Sequence, residues 1–339
     1  MYGAVLCADT ELVAAGEAHV GVLFLTNEGY STMCGHATLA VARLLVDQSQ
    51  AEASEPPLFA LGGKKNIEVD KVRQEAHVAL HVPCGLVQVT VPVVASPTTG
   101  CWRTDTTRPI SYLSVPSYAT GMDVAIPIPD AYRWPELGKK NEVVVDIAYG
   151  GAYYIIAAPS ALGFPDSLAK PDLAGLSITT RGLKDAFNSS ARLRECYLRP
   201  SDHPDLEFLY GTILTDAELG TRGSGTMGAE TSLCFFSNSQ IDRSPTGSGV
   251  QAKVALAHAK GQRELGARWT YHSLVSNSCK GNEGAFVGEA VREVGIGEGR
   301  PAVIVKVSGW ARYTGASTFI VEDGDEIGQG FCFEAVASD

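Results

Sequence analysis

Two short stretches carry the side chains best suited to chemistry. The first is Asn27-Glu28-Gly29-Tyr30-Ser31-Thr32-Met33-Cys34-Gly35-His36-Ala37-Thr38. An apolar run at 20–25 reads as a strand, the Cys34-Gly35-His36 step as a turn, and 37–46 has the periodicity of a helix. A cysteine thus sits where a turn becomes a helix. The first N–H groups of a helix have no intrahelical partner and its dipole end is positive, so a thiolate, or a carboxylate bound beside it, is favoured there. The second stretch, Ile241-Asp242-Arg243-Ser244-Pro245-Thr246-Gly247-Ser248-Gly249-Val250, repeats the design. Turn residues lead to a hydroxyl at Thr246, a small-residue step, and a helical run 250–259 stopped by Gly261.

A pair of such helix starts could hold an amino acid by its carboxylate. Gly35 and His36 on one side, and Gly247 and Ser248 on the other, offer backbone N–H donors, and no side chain blocks close approach at the glycines. The same donors would stabilise enolate-like charge as the α-carbon loses its proton. Asp242 is placed to accept hydrogen bonds from a substrate ammonium, and Cys34 is the natural base. Each residue also has an ordinary reading: a buried inert thiol, a turn aspartate, a helix cap, a packed histidine. Pairing favours the chemical reading, because two elements of like construction suggest duplicated halves facing one cleft.

Composition narrows the partners. The 339 residues suit two domains with a large core, and the formal charge of −11 argues against nucleic acid or an anionic membrane surface. The start of the chain has the acidic residues Asp9 and Glu11 and no basic leader pattern, and no apolar run is long enough to span a bilayer. Eight cysteines occur without a C-x-x-C pair or a metal-spaced Cys/His cluster, which fits reduced thiols in the cytoplasm and no metal. The Gly/Thr-rich segment 221–228 lacks the ending of a phosphate loop and reads as a mobile surface loop, and the acidic 323–326 lacks calcium-loop spacing.

Along the chain, β signals fall at 1–6, 20–25, 66–72, 76–82, 86–94, two strands within 142–158, 208–214, 233–236, 269–274, 302–307 and 317–321. Helical signals fall at 37–46, within 162–198 (clearest at 182–198) and at 250–259. Polar and proline-bearing loops are expected at 47–57 and around His203-Pro204, and a soft boundary lies near 115.

Met33-Cys34-Gly35-His36 and Asp242 to Gly249 resemble the two signature motifs of the proline racemase family. Further matching stretches are Met1-Tyr2-Gly3-Ala4, Asp146 to Ala152, Tyr210 to Leu214 and Val307 to Gly315. The resemblance implies an α/β (α+β) fold of two pseudo-symmetric halves, each a barrel-like sheet around a central helix, like diaminopimelate epimerase. The halves would be 1–115, joined by 313–339, and 116–312, with the site between them. It also implies a cofactor-independent enzyme acting on a small imino acid.

Family racemases and epimerases carry cysteine in both motifs, one for each face of the α-carbon; here the second position is Thr246. A hydroxyl is too weak an acid to take that part, so racemisation should fail while proton removal by Cys34 remains. The combination matches the dehydratase branch acting on trans-3-hydroxy-L-proline, a hydro-lyase reaction giving Δ2-pyrroline-2-carboxylate and then its Δ1 tautomer. Carried over, Cys34 is the base, Thr246 stands in for the second thiol, Gly35, His36, Gly247 and Ser248 bind the substrate, and Asp242 holds its amine. The family usually begins upstream of Met1 with a further segment, so the first half is expected to be truncated. Unpaired strand edges then invite association, for which a homodimer is one form. The competing expectations are a non-catalytic remnant and, more weakly, a surviving racemase or epimerase.

Overall fold

The structure is a computed structural model that describes residues 3–26, 28–49, 66–97, 100–164, 167–198, 206–279, 282–297, 299–317, 320 and 322–324. The first half contains β1 (Gly3–Cys7), α1 (Glu11–Ala14), β2 (Val20–Thr26), β3 (Gly29–Ser31), α2 (Gly35–Ser49), β4 (Val69–Asp70), β5 (Glu75–Val82), β6 (Gly85–Ala95), β7 (Trp102–Thr104) and β8 (Ile110–Leu113). Alternation makes the sheet: Val87, Val89, Val91 and Val93 of β6 point inward with Ala76, Val78, Leu80 and Val82 of β5. They pack on Leu39, Ala42, Leu45 and Val46 of α2. Each buried leucine there contributes about 1.5–3 kcal/mol relative to exposure.

The second half follows as β9 (Tyr118–Pro127), β10 (Glu142–Tyr149), β11 (Tyr153–Ala157), α3 (Leu173–Ser189), α4 (Ala191–Tyr197), β12 (Leu209–Asp216), β13 (Gly228–Phe236), β14 (Gln240–Ile241), α5 (Gly247–Ala259), β15 (Trp269–His272), β16 (Phe286–Ile296) and β17 (Arg300–Gly309). Every residue of α5 from Gly247 to Ala257 is buried, as befits a helix enclosed on all sides. Two of its polar side chains reach neighbours: Gln251 Nε2 donates to the Tyr112 hydroxyl (3.0 Å), and the Lys253 ammonium lies 3.2 Å from Glu230.

The strands form one mixed sheet running β9–β10–β11–β12–β13–β15–β16–β17–β8–β6–β5–β2–β1, with parallel pairs at β11–β12, β13–β15 and β2–β5. The joint is β17, which pairs with β16 on one side and with β8, in register Val307 with Tyr112, on the other. The α/β architecture is as expected, a mixed sheet with α2 and α5 packed on it, but among the described residues the sheet closes into no barrel. Around α5 it meets itself, among the described residues, at the isolated bridge Ser117–Val303; next to it the Ser114 hydroxyl takes the Val305 N–H in place of a carbonyl. On the other side, β1 pairs with β2 alone among the described residues.

Several local expectations change. The helix anticipated at 182–198 is two, because Ser190 caps the Leu193 N–H and starts α4 afresh. The strand at 66–72 shrinks to Val69–Asp70, since Asp70 accepts from the N–H groups of Val72 and Arg73 and turns the chain. The loop 221–228 is anchored: Thr226 is buried, its hydroxyl 2.9 Å from that of Thr270, which also accepts from Gly223 N–H. The loop expected at 47–57 begins no earlier than 50, because α2 continues to Ser49. Ser317 and Ile320 are not in a strand; residues 318, 319 and 321, most of 313–339, residues 50–65 and His203-Pro204 lie outside the described residues. No helix among the described residues is long and apolar enough to cross a membrane.

Candidate active site

Cys34 and Thr246 occupy the same structural position, the N-cap, in α2 and α5. The Cys34 carbonyl accepts from the Thr38 N–H (3.0 Å) and hydroxyl (2.8 Å), and the Thr246 carbonyl accepts from Val250 N–H (2.7 Å). Thr246 has φ +59°, a left-handed conformation that a β-branched residue adopts only when its surroundings enforce it. The enforcement is a run of short bonds: Ser244 N–H to Asp242 Oδ1 (2.8 Å), Thr246 N–H to Ser244 Oγ (2.9 Å), and the Thr246 hydroxyl donating to Asp242 Oδ2 (2.9 Å). Because that hydroxyl is turned to Asp242, it does not cap its own helix.

The two helix starts touch. A Cβ on Gly35 would fall 2.8 Å from the Cα of Gly247, and both would collide with the Tyr112 hydroxyl at 2.7–2.8 Å. Only glycine permits this approach. Tyr112 therefore sits beneath the junction, buried and held by Gln251. The Ser248 hydroxyl is hydrogen-bonded with that of Tyr154 (2.7 Å), and at the helix start Ser248 also offers its backbone N–H. On the opposite side, the Thr32 hydroxyl donates to the Gly151 carbonyl (2.5 Å) and ties the Cys34 turn to the second half.

All seven residues singled out in the sequence, Cys34, Gly35, His36, Asp242, Thr246, Gly247 and Ser248, line one cavity of about 700 Å³. Among the described residues no group of three His, Cys, Asp or Glu side chains is arranged to hold a metal ion. Burial pushes the Cys34 thiol up to about 12; the negative charge of Asp242 adds to this, and the N–H groups of Ala37 and His36 only partly oppose it. Desolvation therefore outweighs the helix end that would favour a thiolate at Cys34. Burial likewise lowers the pKa of His36 against the pull of Asp242, which leaves its ring neutral near pH 7, 4.5 Å from that of Phe286.

The proline racemase family model matches residues 1–332. The chain belongs to the proline racemase family. Within it, the chain is 40% identical over 335 residues to the trans-L-3-hydroxyproline dehydratase of Bos taurus, covering 98% of this chain and 78% of the relative. It is 39% identical to the trans-3-hydroxy-L-proline dehydratase of Homo sapiens over the same shares, and 29% identical to the 3-hydroxyproline 2-epimerase of Burkholderia multivorans, covering 98% and 81%. This member of the proline racemase family is an enzyme whose nearer kinship here is with hydro-lyases. Its fold resembles that of a probable proline racemase from Agrobacterium radiobacter K84 with bound carbonate, at TM-score 0.69 and 20% identity over 99% of this chain and 80% of that one. It also resembles a hydroxyproline epimerase from Agrobacterium vitis with bound trans-4-hydroxy-L-proline (TM-score 0.65, 20% identity, 93% and 74%).

The cavity of this proline racemase family chain also has walls that the motifs do not announce. Phe236 and Gln240 come from the β13–β14 hairpin, and Val275, Ser276, Cys279 and Gly284 from the segment before β16. Nothing in their local sequence marks them. Cys234 lies behind Thr246, but it is buried, outside the cavity lining, and its thiol is pushed up by burial and then by Asp242.

Proposed function

We propose that this chain dehydrates trans-3-hydroxy-L-proline to Δ2-pyrroline-2-carboxylate, which tautomerises to the Δ1 imine. The observation that carries the reading is the matched N-cap pair in one cavity, a thiol at Cys34 and a hydroxyl at Thr246 that donates its hydrogen bond to Asp242. In this reading the substrate carboxylate lies against the N–H groups at Gly35, His36, Gly247 and Ser248. Its ammonium faces Asp242, cancelling the negative charge that adds to burial in holding the Cys34 proton, and the amides of Ala37 and His36 receive the thiolate that forms. Cys34 then removes the α-proton, and the charge spreads onto the carboxylate held by the amides.

With a hydroxyl at position 246, no second thiol returns a proton from the other side, so inversion gives way to loss of the neighbouring hydroxyl. The halves 1–115 and 116–312 would each contribute one helix start to the site. An o-aminobenzaldehyde assay on trans-3-hydroxy-L-proline tests the reading: the cyclic imine is expected from the wild-type chain and not from Cys34→Ser. Full inversion at Cα without imine would instead favour the epimerase reading that the Burkholderia relative's name suggests.

A further inference from the structure

We propose that Cys34 acts on both protons of the reaction: the thiol that receives the α-hydrogen passes it to the departing 3-hydroxyl, and water leaves by syn elimination on one face of the ring. The inference deepens the dehydratase reading and rests on it.

The argument starts from the substrate's shape. In a trans-3-hydroxy-L-imino acid the carboxylate and the hydroxyl are on opposite ring faces, so the α-hydrogen and the hydroxyl share a face. The base that reaches the first is therefore beside the second. Thr246 belongs to the other helix start, and its hydroxyl donates to Asp242 Oδ2 at 2.9 Å. The other hydroxyls around the junction are also engaged. Ser248 is bonded to Tyr154 (2.7 Å), Tyr112 lies under the glycines with Gln251 (3.0 Å), and Ser276 accepts from the Ser273 N–H (2.8 Å) and lies 3.2 Å from His272 Nδ1. Cys34, once it has taken the α-proton, holds a fresh one on the face that carries the hydroxyl.

The step balances without a co-reactant. The Cα–H bond breaks as S–H forms; the electron pair left on Cα becomes the C2–C3 double bond as the C3–O bond breaks; the S–H proton joins the leaving oxygen, and the thiolate is restored. Nothing is oxidised or reduced.

The test runs the full chain in deuterated buffer with trans- and with cis-3-hydroxy-L-proline, whose hydroxyl lies on the Thr246 side. The expected result is imine from the trans isomer, and from the cis isomer exchange of the α-hydrogen with elimination slower by about 10²–10⁴-fold, the usual worth of a positioned acid. Cis elimination at the trans rate, or no α-exchange from the cis isomer, overturns the inference. A kcat profile with one rising limb is expected over the pH range in which the protein stays folded, and a falling limb within that range would reveal a separate acid and overturn it too. If the trans isomer itself gives no imine, it is the dehydratase reading that falls.

Discussion

A Cβ added to Gly247 would lie 2.6 Å from the Cα of Gly35, so α5 and α2 meet glycine to glycine at their first turns. The contact brings two sets of unpaired N–H groups onto one small anion, which neither helix could bind as well alone. Gly247→Ala must therefore push the helix starts apart. Overpacking of this kind costs about 1–3 kcal/mol, and activity should fall well beyond what that loss of stability explains. Gly315→Ala, where a Cβ meets nothing within 4 Å, is the control. Thermal unfolding and kcat/KM measured on both variants decide it; a Gly247→Ala enzyme with wild-type kcat/KM would refute the shared anion site.

Asp242 has two tasks that a charge change separates. An asparagine can still accept from the Ser244 N–H and keep the turn, but it cannot neutralise a substrate ammonium. Losing a charge-assisted bond costs about 1.5–3 kcal/mol, or roughly 10–150-fold in kcat/KM. The negative charge also raises the Cys34 pKa, so Asp242→Asn lowers it. Because kcat/KM reports free-enzyme ionisations, the wild-type value should climb with pH through the alkaline range toward about 12, and the variant's limb should lie at lower pH. A limb that stays put would mean that Asp242 does not govern the thiol.

The site was legible where it is local. Cys34-Gly35-His36 and Asp242 to Gly249 are contiguous turn-to-helix segments, and turn and cap chemistry is written in neighbouring residues. What depended on distant packing was not: the Gly35–Gly247 contact, Tyr112 beneath it and Cys234 behind Thr246 join residues from separate strands. The thiol's protonation state fell in the same class, since burial and a carboxylate from the other half set it. Two long strands escaped notice for a different reason. β9 carries a bulge around Gly121 with Asp123 at φ +52°, and β16 intersperses charges and a bulge near Arg292, so neither shows sustained alternation.

Buried thiols give the fold an alkaline weakness. Burial raises Cys34 and Cys84 from 9.0 to about 12, and raises Cys234 as well. Between pH 9 and 12 the unfolded chain releases these protons while the native state keeps them, so stability is full below pH 9 and falls as pH rises, by up to roughly 1.4 kcal/mol per pH unit for each thiol. Melting temperature should be flat from pH 7 to 8.5 and drop steeply by pH 10.5. Cys84→Ala should make the drop shallower; an unchanged slope would show that Cys84 takes no part.

The buried cluster beside α5 makes a prediction of opposite sign. Glu230 sits 3.2 Å from the Lys253 ammonium and 2.6 Å from the Arg263 guanidinium. Burial alone would raise the carboxyl's pKa, but the two cations bring it below the ordinary value, whereas burial pulls Lys253 down further than Glu230 restores it. Glu230→Gln leaves two buried cations without a counter-charge, which costs about 3–5 kcal/mol. Lys253→Met is milder, because Glu230 keeps Arg263. Removing Glu230 also lowers the Lys253 pKa further, so in the window below 10.5 the folded variant holds fewer protons than its unfolded chain, and rising pH stabilises it relative to wild type. Urea unfolding at pH 7 and pH 9.5 should show the gap between wild type and Glu230→Gln narrowing at the higher pH. A gap that stays constant or widens would mean that Lys253 sheds no additional proton when Glu230 is gone.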